Sequence, residues 1–392
     1  MLGDRIFDLT LRDRVRFGRG TIRDLPALVR EVRGPAARAF IVSDPGVVTS
    51  GVVATVQRVL AEATIETGLF GAVEPNPGTT VVERGGADLR AFGIQGVVVV
   101  PVGGGSSMDT AKAMSLYAAN TVRAADLGYD NLALVAGLPV IAVPTTAGTG
   151  AETNSFGVIT DEAARRKAYI GHPSLLPVAC ILDPDLTAGL PPAATAATGI
   201  DALTHSLESL LSRNPNPFAE ALALQVIRTV GAWLPRAVAA GDDMEARGQL
   251  LLASHLAGVG QASGTGVGLV HALGHALGTR GRLPHGTALA AVMPGVLAFY
   301  LGTRDRELAL VAVALGAASS VDEPAAAAHK GVDAVARLIE AVGQRRTLRE
   351  LGLGVDMIAT LAGDALVDPA IDNSPRLPTA AEATAILEAV AG

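Results

Sequence analysis

Seven consecutive residues, Gly96-Val97-Val98-Val99-Val100-Pro101-Val102, run straight into Gly103-Gly104-Gly105-Ser106-Ser107-Met108-Asp109-Thr110-Ala111-Lys112. An apolar run of strand length with no polar alternation must be covered on both faces, as a strand is inside a parallel sheet flanked by helices. Similar runs occur at Ala39–Ser43 and Leu138–Val143, and a further short strand is expected near Thr64–Leu69. Between them Val52–Ala63 and Thr80–Phe92 carry helical spacing. Strands alternating with helices predict an α/β layer built on a parallel sheet. After Pro191 the strand-like runs stop, and Phe218–Ala240, Met244–Gly258, Thr287–Leu301, Asp305–Ala318, Pro324–Val342 and Ala380–Val390 all carry the periodicity of helices. Leu190-Pro191-Pro192 marks the change, because prolines end one element and disfavour its continuation. The expected organisation is an α/β domain over residues 1–190 and an all-helical domain over residues 191–392.

Composition narrows the function. At 392 residues the chain is long enough for two cores, and 49% hydrophobic with 18% charged residues leaves no room for a long disordered tail. A formal charge of −7, without any basic run, argues against a nucleic-acid partner. The single cysteine, Cys180, cannot form an internal disulfide, which fits a reducing, cytoplasmic setting. The N-terminal MLGDRIFDLTLRDRVRFGRG is broken by charges every few residues, so no export signal is expected there. The most apolar span, Leu132–Val143, is short and carries Gly137 and Pro139, so no membrane segment is expected either.

The glycines after the Gly96–Val102 strand let the backbone approach a phosphate closely, and the start of the following helix supplies free N–H groups and a positive dipole. Their order is not that of the usual dinucleotide fingerprint, so the alternative is a tight turn. A second loop, Pro144-Thr145-Thr146-Ala147-Gly148-Thr149-Gly150-Ala151-Glu152, follows the Leu138–Val143 strand. Two such loops at the carboxyl ends of parallel strands form the place where open α/β sheets bind ligands. Asp44, just after Ala39–Ser43, either accepts hydrogen bonds from an adenosine ribose, which favours NAD over NADP, or belongs only to an Asp-Pro-Gly turn. Lys112 reads as a solvated helix residue without a role.

In the second half Asp201 and His205 stand four apart, as do His271 and His275, and His285 follows in Leu283-Pro284-His285-Gly286. A spacing of four puts two side chains on one helix face. Any one such pair is usually an ordinary surface pair, but four of the seven histidines fall in these three segments, on Ala- and Leu-rich helices. There a buried imidazole or carboxylate needs a partner or an ion. One carboxylate with three imidazoles suits Fe²⁺ or Zn²⁺, and the lack of thiols argues against a structural zinc site. His172, His255 and His329 are isolated and read as structural or surface residues. Glu152 and Glu208 read as capping residues or as partners of the ligands, outside the catalytic set.

Together GGGSSMDTAKAM, PTTAGTGAETNSFGVITD, ILDPDLTAGLPPAATAATGIDALTHSLE and VHALGHALGTRGRLPHG closely resemble the iron-containing alcohol dehydrogenase family, over nearly the whole chain. The resemblance implies an N-terminal dinucleotide-binding domain, a helical metal-binding and catalytic domain of the dehydroquinate synthase-like fold, and an active site between them. It implies metal ligation by Asp201, His205, His271 and His285. It places His275 near the nicotinamide, Gly103, Gly104, Gly105 and Ser106 in a pyrophosphate loop, and Thr145, Thr146 and Thr149 in a second nucleotide loop. Lys167 matches a lysine reaching the nicotinamide ribose, and Asn76-Pro77 a turn beside the cofactor; Asp109 joins this cofactor-binding set. The expected cofactors are NAD(H) and one divalent metal, Fe²⁺ ahead of Zn²⁺. The expected partner is a small alcohol or aldehyde, and the expected assembly a homodimer. Ala151, Gln261, Leu289 and Ser374 depart from the family's usual residues, which puts the substrate in doubt and not the chemistry.

The reaction expected is hydride transfer between a carbinol carbon and the nicotinamide, with the cation polarising the oxygen. His275 either relays the proton or only shapes the pocket. A metal-independent reductase resembling maleylacetate reductase is the nearest rival, against which the complete ligand set weighs. Glycerol dehydrogenase-like and dehydroquinate synthase-like enzymes would share the fold with other ligands. A binding protein without catalysis on the same scaffold is the alternative of another class. Gln261, with Asn154 and Ser155, points to a polar pocket and a hydrophilic aldehyde, including acid- or phosphonate-bearing ones.

Overall fold

The computed structural model describes residues 14–164 and 166–392. It divides near Leu190 into two compact units. The first unit carries strands β1 (Val15–Phe17), β2 (Arg38–Val42), β3 (Thr67–Phe70), β4 (Val97–Gly103), β5 (Ile141–Pro144), β6 (Phe156–Asp161), β7 (Arg166–Gly171) and β8 (Ala179–Leu182). Six of them form one sheet in the order β1-β8-β5-β4-β2-β3. Every pairing in it is parallel, with Val15 opposite Cys180, Ile141 opposite Ala179, Val102 opposite Val143, Ala39 opposite Val98 and Ala39 opposite Thr67.

Burial on both faces is what the valine run demanded. All residues of β4 are buried. Val98, Val100 and Val102 pack in one core with Ile41, Ile141 and Ile181, under the helices Leu25–Arg33 and Val52–Glu62. Val97 and Val99 face the opposite core with Phe40 and Val42, under the helices Thr79–Phe92 and Gly105–Ala119. The strand expected near Thr64 begins only at Thr67, because Thr64 has φ of 56° and turns the chain out of extended geometry. The antiparallel hairpin β6–β7 and the short strands β1 and β8 add to the elements expected from the sequence. β8 has four residues, and its strand geometry comes from pairing β1 on one side and β5 on the other.

Lys112 corrects the expectation of a solvated residue. It is fully buried, and its Nζ donates to Ala151 O at 2.6 Å, Asn154 Oδ1 at 2.8 Å and Phe156 O at 2.7 Å. A buried ammonium is tolerated when all three of its donors are satisfied, and here they tie the helix Gly105–Ala119 to the second loop and to the hairpin. Lys112→Met should lower stability by about 2–4 kcal/mol, since charged hydrogen bonds are lost and buried acceptors are left bare. A thermal shift assay checks this; an unchanged transition would contradict the role.

Among the described residues the second unit is helical throughout. Its helices include Pro192–Leu211, Pro217–Ala239, Met244–Gly260, Leu269–Gly281, His285–Phe299, Asp305–Ala314, Pro324–Ala341, Ile358–Leu366 and Ala380–Glu388. Helix Pro192–Leu211 packs against Pro217–Ala239, Met244–Gly260 and His285–Phe299. The helix expected to reach Ala318 stops at Ala314, where Gly316 takes φ of 70°. No helix among the described residues is long and apolar enough to cross a membrane.

Candidate functional site

Three helices of the second unit build the centre. Asp201, His205 and Glu208 stand at i, i+4 and i+7 of Pro192–Leu211, hence on one face, and all three are buried. His271 and His275 share a face of Leu269–Gly281. His285 is the first residue of His285–Phe299, just past Pro284. Two glycines set the spacing. A Cβ on Gly286 would lie 1.9 Å from the backbone oxygen of Ala197, so the start of that helix rests directly on Pro192–Leu211. A Cβ on Gly274 would lie 2.5 Å from Leu289 Cδ2, so the two histidine-bearing helices meet over buried Leu289.

The side chains converge on one oxygen. Asp201 Oδ1 lies 3.7 Å from His205 Nδ1, 3.8 Å from His271 Nε2 and 3.6 Å from His285 Nε2. Those separations exceed a hydrogen bond. Ligands about 2.1 Å from a shared tetrahedral ion stand about 3.4 Å apart, so each imidazole lies within tenths of an ångström of that spacing from Asp201 Oδ1. Ligand atoms of Asp201, His271 and His285 lie within 4.8 Å of one another; His205 stands outside that tightest group, its ring stacked on His271 at 4.9 Å. Asp201 Oδ1, His205 Nδ1 and His271 Nε2 are buried without any hydrogen-bond partner. Three such orphaned polar atoms, two of them within 3.8 Å of Asp201 Oδ1, are costly in a protein interior, and a cation held among them would resolve the cost. Burial first, then the neighbouring His205 and His275, holds His271 well below the ordinary histidine value, which keeps it in the neutral form that binds metal. His285 is 42% exposed at its side chain, which leaves the group open to solvent on that side.

Two carboxylates stand behind the histidines. Glu208 Oε2 meets His271 Nδ1 at 2.5 Å, and Oε1 accepts from the N–H groups of Val270 at 2.6 Å and His271 at 3.4 Å. Burial pushes its carboxyl up to about 7, against the hydrogen bonds from the backbone of Gly268, Val270 and His271. Asp368 Oδ2 meets His275 Nδ1 at 2.8 Å, while its Oδ1 caps the Pro369–Asn373 turn through Ala370 N–H. Asp368 is not among the residues expected from the sequence. Its only local signal was an Asp-Pro cap, and its partner is more than ninety positions away.

In the first unit the glycine loop closes β4 and opens Gly105–Ala119. A Cβ on Gly104 would lie 3.1 Å from Thr146 Cγ2 and one on Gly105 2.9 Å from Thr149 Cγ2, so the two expected nucleotide loops pack on each other. Thr145 N–H donates to Gly103 O at 3.0 Å. Gly104 gives the helix no side-chain cap, so the first-turn N–H groups beside Ser106 are left for an outside acceptor. Asp44 caps Pro45–Thr49 through Oδ1, and its Oδ2 lies 3.4 Å from Ser107 Oγ, so the turn reading holds and one oxygen stays beside the glycine loop. Lys167 Nζ reaches Asn76 Oδ1 at 2.9 Å, and Pro77 O accepts from Thr160 N–H. Asp109 is turned to structural use: its Oδ2 accepts from Val158 N–H at 3.1 Å, and burial raises its carboxyl to about 6. Asn154 and Ser155 bond inside this unit, to Lys112 and to Tyr129.

Comparison with known proteins identifies the family. Residues 13–184 match the family described as iron-containing alcohol dehydrogenase, and residues 195–391 the Fe-containing alcohol dehydrogenase family, C-terminal. The chain is 34% identical over 371 residues to an NAD-dependent methanol dehydrogenase of Bacillus methanolicus, covering 95% of this chain and 96% of that protein. It is 35% identical to lactaldehyde reductase of Escherichia coli, with 95% and 96% covered. A solved 1,3-propanediol oxidoreductase superposes with a TM-score of 0.93 at 34% identity, over 98% of this chain and all of that one. A sulfoacetaldehyde reductase from Bifidobacterium kashiwanohense in complex with NAD+ gives a TM-score of 0.87 at 27% identity, with 99% of each chain covered.

Proposed function

The chain belongs to the iron-containing alcohol dehydrogenase family, and on that premise we propose that it moves hydride between NAD(H) and a small alcohol or aldehyde. One divalent cation, Fe²⁺ ahead of Zn²⁺, is held by Asp201, His205, His271 and His285. The observation that carries this reading is the set of buried, unpartnered atoms on Asp201, His205 and His271, beside the solvent-facing His285. Bound there, the cation supplies Lewis acidity towards an alcohol or carbonyl oxygen.

The remaining work falls to the chain's own groups. Gly103, Gly104, Gly105 and Ser106 present helix-start N–H groups to the pyrophosphate, with Thr145, Thr146 and Thr149 as the opposing wall. Lys167, set by Asn76, reaches for the nicotinamide ribose. His275 has Nδ1 engaged by Asp368, which leaves Nε2 as the atom that passes a proton towards or away from the substrate oxygen. Similarity to a lactaldehyde reductase and to a sulfoacetaldehyde reductase favours short polar aldehydes, including acid-bearing ones, over long apolar alcohols. We further read the enzyme as a cytoplasmic homodimer; the single cysteine, Cys180, is buried and has no second cysteine to pair with, which fits a reducing compartment.

Two experiments follow. NADH oxidation with a panel of short aldehydes, run on chelator-stripped protein before and after anaerobic Fe²⁺ or Zn²⁺, should show activity only with metal. Equal turnover without metal would favour the metal-independent reductase, and NADH binding with no turnover the binding protein. Asp44→Ser keeps the helix cap and removes the charge. It should raise the kcat/KM ratio of NADPH to NADH by about tenfold, the equivalent of about 1.4 kcal/mol of repulsion. An unchanged ratio would remove Asp44 from coenzyme choice.

A further inference from the structure

Glu208 sits where two requirements meet. The helix Leu269–Gly281 starts at Gly268, which offers no side-chain cap, so its first N–H groups need an acceptor from elsewhere. Glu208, more than sixty positions earlier on the helix that carries Asp201 and His205, supplies it: Oε1 takes the N–H groups of Val270 and His271. The same carboxylate turns its other oxygen to His271 Nδ1 at 2.5 Å. A Cβ on Gly268 would lie 3.2 Å from Oε1, so the close approach depends on that glycine.

We propose that Glu208 is the positioning residue of the metal centre, fixing His271 with its proton on Nδ1 and its lone pair on Nε2 while it caps the helix that carries the ring. The inference rests on the metal-dependent reading above. With Oε1 occupied by two backbone donors, Oε2 is the acceptor for Nδ1–H, and the only ring nitrogen left to face Asp201 is a bare Nε2. A carboxylate alone meets both demands. A glutamine amide has one acceptor and one donor end. With its oxygen towards the helix start, its NH₂ donates to Nδ1, the proton moves to Nε2, and the ligand atom is blocked. With its oxygen towards Nδ1, NH₂ meets the Val270 N–H and the cap is lost. Removing such a partner behind a metal-bound histidine weakens affinity roughly 10- to 100-fold.

The test is the affinity of the full-length protein for Zn²⁺ by competition with a chromophoric chelator, for wild type, Glu208→Gln and Glu208→Asp, with NADH affinity measured on the same samples by fluorescence. The expected result is Zn²⁺ affinity down by roughly 10- to 100-fold in both variants, with NADH affinity unchanged. The aspartate keeps the charge and falls one methylene short, so loss in it separates positioning from simple electrostatics. It also carries the test if the glutamine variant does not fold. Wild-type Zn²⁺ affinity in either folded variant would overturn the inference while leaving the metal reading intact. Wild-type protein that binds no divalent ion would overturn both.

Discussion

His271→Ala is expected to reduce bound metal from about one ion per chain to background and kcat/KM by roughly a thousandfold or more. A bound cation contributes several kcal/mol of charge stabilisation at the reacting oxygen, and each 1.4 kcal/mol or so is a factor of ten in rate. The truncation does two further things. It takes away the ring that stands between Asp201 and Glu208, which are both buried, and leaves Glu208 with its backbone bonds only. NADH affinity should stay at the wild-type value, because the expected cofactor residues belong to the other unit. Metal analysis with steady-state kinetics checks both halves. Full activity in this variant would show that the histidine cluster is not the catalytic centre.

Gly286→Ala is the second large effect, and it arises from backbone instead of chemistry. The added methyl would need to occupy a position 1.9 Å from the carbonyl oxygen of Ala197, a contact no rotamer change can relieve because neither atom belongs to a flexible side chain. The start of His285–Phe299 must therefore move away from Pro192–Leu211. Overpacking of this kind costs about 3 kcal/mol. In a unit of about 200 residues that is a fall of roughly 6–12 °C in Tm. Because His285 is the neighbouring residue, the shift also carries a ligand away from Asp201. Weakened metal binding should therefore accompany the lower Tm. A variant with wild-type Tm and metal affinity would contradict the packing described here.

What could be read from the sequence was what depends on local pattern. The valine run before Gly103 required a strand buried on both faces, and β4 is one. The four-residue spacings placed Asp201 with His205 and His271 with His275, and the loss of strand signals at Pro191 fell beside the division between the two units. What stayed hidden depends on distant partners. Nothing near Lys112 announces that three oxygens from residues 151, 154 and 156 await its ammonium. Glu208 follows the helix face of Asp201 and His205, yet its role is set by Gly268, Val270 and His271, which only the fold brings near. Asp368 looks like a turn cap and is one, with its second oxygen on His275. The hairpin β6–β7 escaped because it forms a separate two-stranded sheet, outside the buried sheet whose apolar runs mark the other strands.

The central claim is that Asp201, His205, His271 and His285 share one ion. Crystals of protein grown with Fe²⁺ or Zn²⁺, measured on both sides of the metal's absorption edge, test it most directly. The account expects one anomalous peak per chain among these four side chains, with imidazole nitrogens and the Asp201 oxygen about 2.0–2.2 Å away. No peak there, or an ion held elsewhere in the chain, would contradict it.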